Sequence, residues 1–166
     1  VTVNGELTDE GRTSTNGNSY GVYADGAITV AERGTLTAEG GTSTNSDSFG
    51  VAAYAVTVNG TLTAAGGDAY GYSYGVYAYS GAVTVTGELT AEGGTSTNGN
   101  SYGVYANKGA VTVNGTLTAG GGTSTNRSSY GVAAYRDVTV AEGGTLTGEG
   151  GDAYAISYGV SANEAL

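Results

Sequence analysis

Apolar and polar positions alternate along this chain in short bursts that return in the same order from one end to the other. The bursts are V-T-V (once I-T-V), T-L-T-A, and S-Y-G-V-Y-A with its variants, each bounded by Gly, Asn, Asp or Ser. Brief alternation between turn formers predicts short strands, three to a unit. The triplet opens at Val1, Ile28, Val56, Val83, Val111 and Val138, so successive starts lie 27, 28, 27, 28 and 27 residues apart. Six units follow, over 1–27, 28–55, 56–82, 83–110, 111–137 and 138–166, forming a single array. A longer period is superposed: unit 1 shares T-S-T-N-G-N-S-Y-G-V-Y-A with unit 4, unit 2 shares G-T-S-T-N with unit 5, and unit 3 shares G-G-D-A-Y with unit 6. A block of three units is duplicated.

No single unit can bury its apolar face, but stacking unit on unit places Val over Val and Leu over Leu. The predicted fold is all-β: a right-handed parallel β-solenoid of six coils, roughly triangular in section, about 29 Å long at the usual strand spacing. Leu7, Leu36, Leu62, Leu89, Leu117 and Leu146 should stack inside. Length changes fall at bends, where Ala31-Glu32-Arg33-Gly34 and Ala141-Glu142-Gly143-Gly144 replace shorter Asn-Gly links, so side-chain parity in the strands is kept. Strict alternation about an inward Val22 puts Tyr20 and Ala24 inside and Gly21 and Tyr23 outside. The column Tyr20, Phe49, Tyr74, Tyr102, Tyr130, Tyr158 is then expected to be an internal ladder. Val1 opens the first coil on a strand and Ala165-Leu166 closes the sixth without a visible cap, which predicts open strand edges and end-to-end self-association.

Composition narrows the chemistry. Fifteen acidic against five basic residues give a net charge of −10, which disfavours nucleic acid and anionic membrane. No apolar run is long enough for a membrane-spanning helix. Without His or Cys, imidazole and thiolate metal sites and Ser-His-Asp or Cys-His catalysis cannot be built. Glu10, Glu39, Glu92 and Glu149 form a partial column, completed by Ala65 and Gly120, but the G-G-x-G-x-D nonapeptide of calcium-binding β-rolls is missing. The basic residues are scattered over bends. These readings predict no enzyme activity and no cofactor.

Outward threonines are the stronger surface signal. The pairs Thr35/Thr37, Thr61/Thr63, Thr116/Thr118 and Thr145/Thr147 flank inward leucines, and T-S-T recurs at the bends. In this feature the chain resembles β-solenoid antifreeze proteins, which implies an ice-matching face, interrupted here by Glu6 and Glu88. Tyr23, Tyr77 and Tyr105, expected outside, offer rings on which a glycan could stack, in a column broken by Ala52, Ala133 and Ser161. Carbohydrate binding and ice binding are therefore the alternatives to a purely structural role.

Across all six units the V-T-V-N-G-T-L-T-A-x-G-G repeat also resembles that of bacterial cell-surface parallel β-helix proteins, adhesin-like and autotransporter-passenger-like. The resemblance implies an extracellular or cell-surface segment acting as a structural or adhesive rod or filament. It supplies no catalytic residue.

Overall fold

The computed structural model describes residues 1–164. Coil 1 contains β1 (Thr2–Val3), β2 (Glu6–Glu10) and β3 (Ser19–Ala24), and coil 2 contains β4 (Ile28–Val30), β5 (Thr35–Glu39) and β6 (Ser48–Ala53). Coil 3 contains β7 (Val56–Val58), β8 (Thr61–Ala65) and β9 (Ser73–Ala78); coil 4, β10 (Val83–Val85), β11 (Glu88–Glu92) and β12 (Ser101–Ala106). Coil 5 contains β13 (Val111–Val113), β14 (Thr116–Gly120) and β15 (Ser129–Ala134), and coil 6, β16 (Val138–Val140), β17 (Thr145–Glu149) and β18 (Ser157–Ala162). Equivalent strands pair in parallel, giving three six-stranded sheets in the orders β1-β4-β7-β10-β13-β16, β2-β5-β8-β11-β14-β17 and β3-β6-β9-β12-β15-β18. The chain is a parallel β-solenoid.

Register is kept through every coil. Leu89 lies opposite Leu62 and Leu117, and Val83 opposite Val56 and Val111. The four-residue bends before β5 and β17 leave the ladders intact, pairing Thr35 with Thr61 and Thr116 with Thr145. Gly143 at the second of these bends has φ +81°, a left-handed conformation that a side chain would strain. Leu36, Leu62, Leu89 and Leu117 are fully buried, while Leu7 and Leu146, on the end coils, pack against the same core and are partly exposed. Val22, Val51, Val76, Val104 and Val132 close the core from the third sheet.

The corners are built on serine. In T-S-T the middle residue points inward, and the column Ser14, Ser43, Ala69, Ser96, Ser124, Ala153 forms isolated bridges between coils. Ser124 Oγ donates to the Gly99 carbonyl of the coil before it (2.8 Å) and accepts the Arg127 N–H (3.2 Å). The serine that opens the S-Y-G-V phrase does the same at the next corner: Ser101 Oγ donates to Gly94 O (2.8 Å) and accepts Gly122 N–H from the following coil (3.0 Å). Buried hydroxyls thus satisfy backbone groups that a sharp bend takes out of the sheets.

One expectation is overturned. The column from Tyr20 to Tyr158 is on the outer face of the third sheet, not inside. Its rings pack with Tyr77, Tyr105, Ala52 and Ala133 in a cluster separate from the Val/Leu core. Alternation fails at the glycine: pairing passes from Tyr20–Phe49 to Val22–Val51 and leaves Gly21 and Gly50 out of the ladder. The glycine faces inward beside an inward valine. At Gly75 a Cβ would stand 2.8 Å from the backbone N and O of Glu92 and 2.7 Å from Gly103 O, so the opposing sheet approaches too closely for any side chain.

Candidate functional site

The second sheet presents a regular polar face. Its outward columns are Glu6, Thr35, Thr61, Glu88, Thr116, Thr145 and, two residues on, Thr8, Thr37, Thr63, Thr90, Thr118, Thr147. The second column is threonine throughout, because period-two alternation holds wherever no glycine intervenes. The first sheet adds a column missed in the sequence: Thr2, Thr29, Thr57, Thr84, Thr112 and Thr139 pair in order, each between two inward residues of its V-T-V triplet. The triplet itself carried that signal.

The third sheet presents a double aromatic face. Tyr20, Phe49, Tyr74, Tyr102, Tyr130 and Tyr158 stack ring on ring, with centroids 4.8–5.2 Å apart and interplanar angles of 4–16°. This spacing follows that of the strands beneath. Tyr23, Tyr77 and Tyr105 do lie outside, each leaning on a ladder ring of its own coil: Tyr20–Tyr23 5.1 Å, Tyr74–Tyr77 4.8 Å, Tyr102–Tyr105 4.7 Å. Where the side column holds Ala52 or Ala133 the strand is followed by Tyr54 or Tyr135, both about half exposed.

In the middle of the ladder, burial removes the hydroxyls of Tyr74 and Tyr102 from water and shifts them. Burial, reinforced by neighbouring Tyr102, drives the Tyr74 phenol far above its ordinary value; burial does the same to Tyr102, against a small lowering by the Asn100 amide that donates to its oxygen at 2.7 Å. Tyr23 is exposed but pushed up to about 12, chiefly because its hydroxyl donates to the Asp25 carboxylate. Burial also raises Asp47, which is partly held down by the Tyr72 N–H it accepts at 2.8 Å.

The glutamate column lies where the sequence placed it, at the end of the second sheet, with Glu10, Glu39, Glu92 and Glu149 exposed and Ala65 and Gly120 in register. Glu92 is raised by partial burial first and by Glu149 second. Among the described residues no group of three or more acidic side chains converges as a metal cage would require. An open groove of about 640 Å³ follows the adjoining glycine corner past Glu10, Arg12, Glu39 and Asp68. Its walls are largely bare backbone.

One further residue was missed. Asp9 stands in the inward column whose other members are Ala38, Ala64, Ala91, Ala119 and Gly148. On coil 1 its carboxylate is exposed. Comparison with known proteins finds no family model, no curated protein and no solved structure that matches this chain.

Proposed function

We propose that this chain is a rod-forming structural segment of an extracellular or cell-surface protein, and that copies of it join end to end by continuing the solenoid. The observation that carries this reading is the joint between coils 3 and 4. There the end of one three-coil block sits on the start of the next with the same parallel register as every other joint: Val56–Val83, Leu62–Leu89, Tyr74–Tyr102. Coil 6 resembles coil 3, and coil 1 resembles coil 4. A joint between copies would therefore repeat one that the chain already makes.

The two end faces differ in how they favour it. On coil 6, Val140 and Ile156 are 44% and 49% exposed at the free edge of β16 and just before β18. Unpaired backbone over apolar side chains is adhesive. On coil 1 the carboxylate of Asp9 occupies a core column and would be buried by any coil stacked on it, at a desolvation cost that weakens the joint. Coil 4, already stacked upon, has Ala91 in that place, fully buried.

The test is mass against concentration, by analytical ultracentrifugation of the 166-residue chain and of its Asp9→Ala variant. Mass should rise with concentration in both, and the variant should associate at least about tenfold more tightly once the buried carboxylate is gone. A chain that stays monomeric in both forms at millimolar concentration would sink the reading. The outer threonine and tyrosine faces remain free along such a rod and supply its adhesive surfaces.

A further inference from the structure

The side column of the aromatic face reads Tyr23, Ala52, Tyr77, Tyr105, Ala133, Ser161. At coil 2 the small alanine opens a hollow of about 450 Å³ between the tyrosines above and below. Phe49 and Ala52 lie buried at its base, Tyr23, Tyr77 and Tyr79 offer the accessible rings, and Asp25 and Asp47 line it from beyond opposite ends of the strands. The rings are set at different angles: Phe49–Tyr77 is tilted 36° at 5.6 Å, and Tyr77–Tyr79 49° at 6.4 Å. Tyr79 is pinned across coil 2 because its hydroxyl donates to the Asp25 carbonyl of coil 1.

The charge of this hollow is one-sided. Tyr23 and Tyr79 have already committed their hydroxyl protons to Asp25, and the Asn18 amide donates to Tyr20 Oη. The Tyr20 and Tyr77 hydroxyls keep protons to donate, but the only charged groups are carboxylates, set beside the negative faces of aromatic rings. No lysine or arginine lines the hollow, in a chain of net charge −10. A sugar gains nothing from two unpaired carboxylates at once, whereas an alkylated cation is held by negative charge and π faces together. The strands that carry Tyr23 and Tyr77 are two spacings, about 10 Å, apart, so a small cation lodged between them can reach a ring within the cation–π range of about 6 Å.

The duplicated block provides a comparison within the molecule. Ala133 repeats Ala52, but Asn107 stands for Asp25, Ser128 for Asp47, Ser161 for Tyr77 and Asn163 for Tyr79, with Arg127 beside them. Both carboxylates and both far-wall rings are gone, although the coil folds in the same register.

We propose that the hollow around Ala52 is a binding site for a small quaternary ammonium cation of the choline type. It acts independently of end-to-end joining. Carboxylated relatives such as betaines are disfavoured by Asp25 and Asp47.

The experiment is calorimetric and NMR titration of the whole chain with tetramethylammonium and with choline. Parallel titrations use 3,3-dimethylbutanol, the neutral shape-mimic of choline, and cellobiose. One saturable site with millimolar or tighter affinity for both cations is expected, with the ligand methyl resonances shifted upfield by the rings. The alcohol should bind at least about tenfold more weakly, since it lacks the charge. Tyr77→Ser with Asp47→Ser, which installs the residues of the second block, should abolish saturation, and Tyr105→Ser should leave it unchanged. If the double variant fails to fold, Asp25→Asn carries the test and should weaken choline binding several-fold. Equal affinity for alcohol and choline, saturation by cellobiose instead, absence of any saturation, or undiminished binding in the double variant or in Asp25→Asn would each overturn the proposal.

Discussion

Leu89 and Thr90 are neighbours in β11 that face opposite ways, and each is one member of a six-residue column. The leucine is fully buried between Leu62 and Leu117, which are held by their own ladders and cannot move in to fill a gap. Leu89→Ala should therefore cost about 2–5 kcal/mol, transfer loss plus residual cavity. Thr90→Ala removes an outward side chain with a threonine on either side, and its cost should stay near the scale of a cross-strand contact, about 0.2–1 kcal/mol. Chemical denaturation of the two variants checks this; comparable losses would mean that the faces of the second sheet are assigned the wrong way round. The buried serines obey a different logic. Ser101 is as fully buried as Leu89, yet it is there for two backbone partners and not for its volume.

At the scale of the strand, legibility in the sequence depended on whether a stretch was free of glycine. In T-L-T-A every position has a side chain that declares its face, and the inward leucines and outward threonines were readable from alternation alone. In S-Y-G-V-Y-A the central glycine declares nothing, and extending parity through it put Tyr20 inside. A slip there turns the tyrosine outward while the valine stays in. The spacing of Tyr20 and Tyr23, three apart yet on one face, becomes intelligible once Gly21 is seen to leave the ladder. The hollow at Ala52 was invisible for the same reason, since it needs both aromatic columns on one surface. The ladder also makes the sheet sensitive to alkali. Tyr74 and Tyr102 have folded-state values raised above the ordinary 10.0, chiefly by burial. Above pH 10 the unfolded chain gives up phenolic protons that the folded chain retains. The stabilisation is thus complete below that pH and is lost as pH rises toward the raised values. Ultraviolet titration of tyrosinate followed together with circular dichroism should show Tyr74 and Tyr102 ionising only as β-structure is lost. Full ionisation of all 14 tyrosines with the sheets intact would contradict the stacked arrangement.

For the whole molecule, strand pairing joins each coil only to the coils above and below, so stability accrues joint by joint along one axis. The duplication was plain in the sequence, but the equivalence of the joints was not, because the two blocks differ at charged positions whose cost depends on what covers them. Asp9 and Ala91 show this: the same place in the coil tolerates a carboxylate at a free face and an alanine beneath another coil. It follows that a further block is accommodated with less strain when its first coil is of the coil 4 kind. Duplicating residues 83–110 as the entry coil, followed by 28–82, between positions 82 and 83 would create joints of coil 3 on coil 4 type, of coil 1 on coil 2 type, of coil 2 on coil 3 type, and again of coil 3 on coil 4 type. The nine-coil chain should fold, and small-angle scattering should show a rod longer by three strand spacings, about 14 Å, with unchanged cross-sectional radius. The same insertion made with 1–27 as entry coil buries an Asp9 carboxylate in the middle of the core, and its thermal midpoint should fall below that of the first construction. Equal midpoints would show that the inward column is not closed at that joint, and a change in cross-section would show that the coils do not stack as interchangeable units.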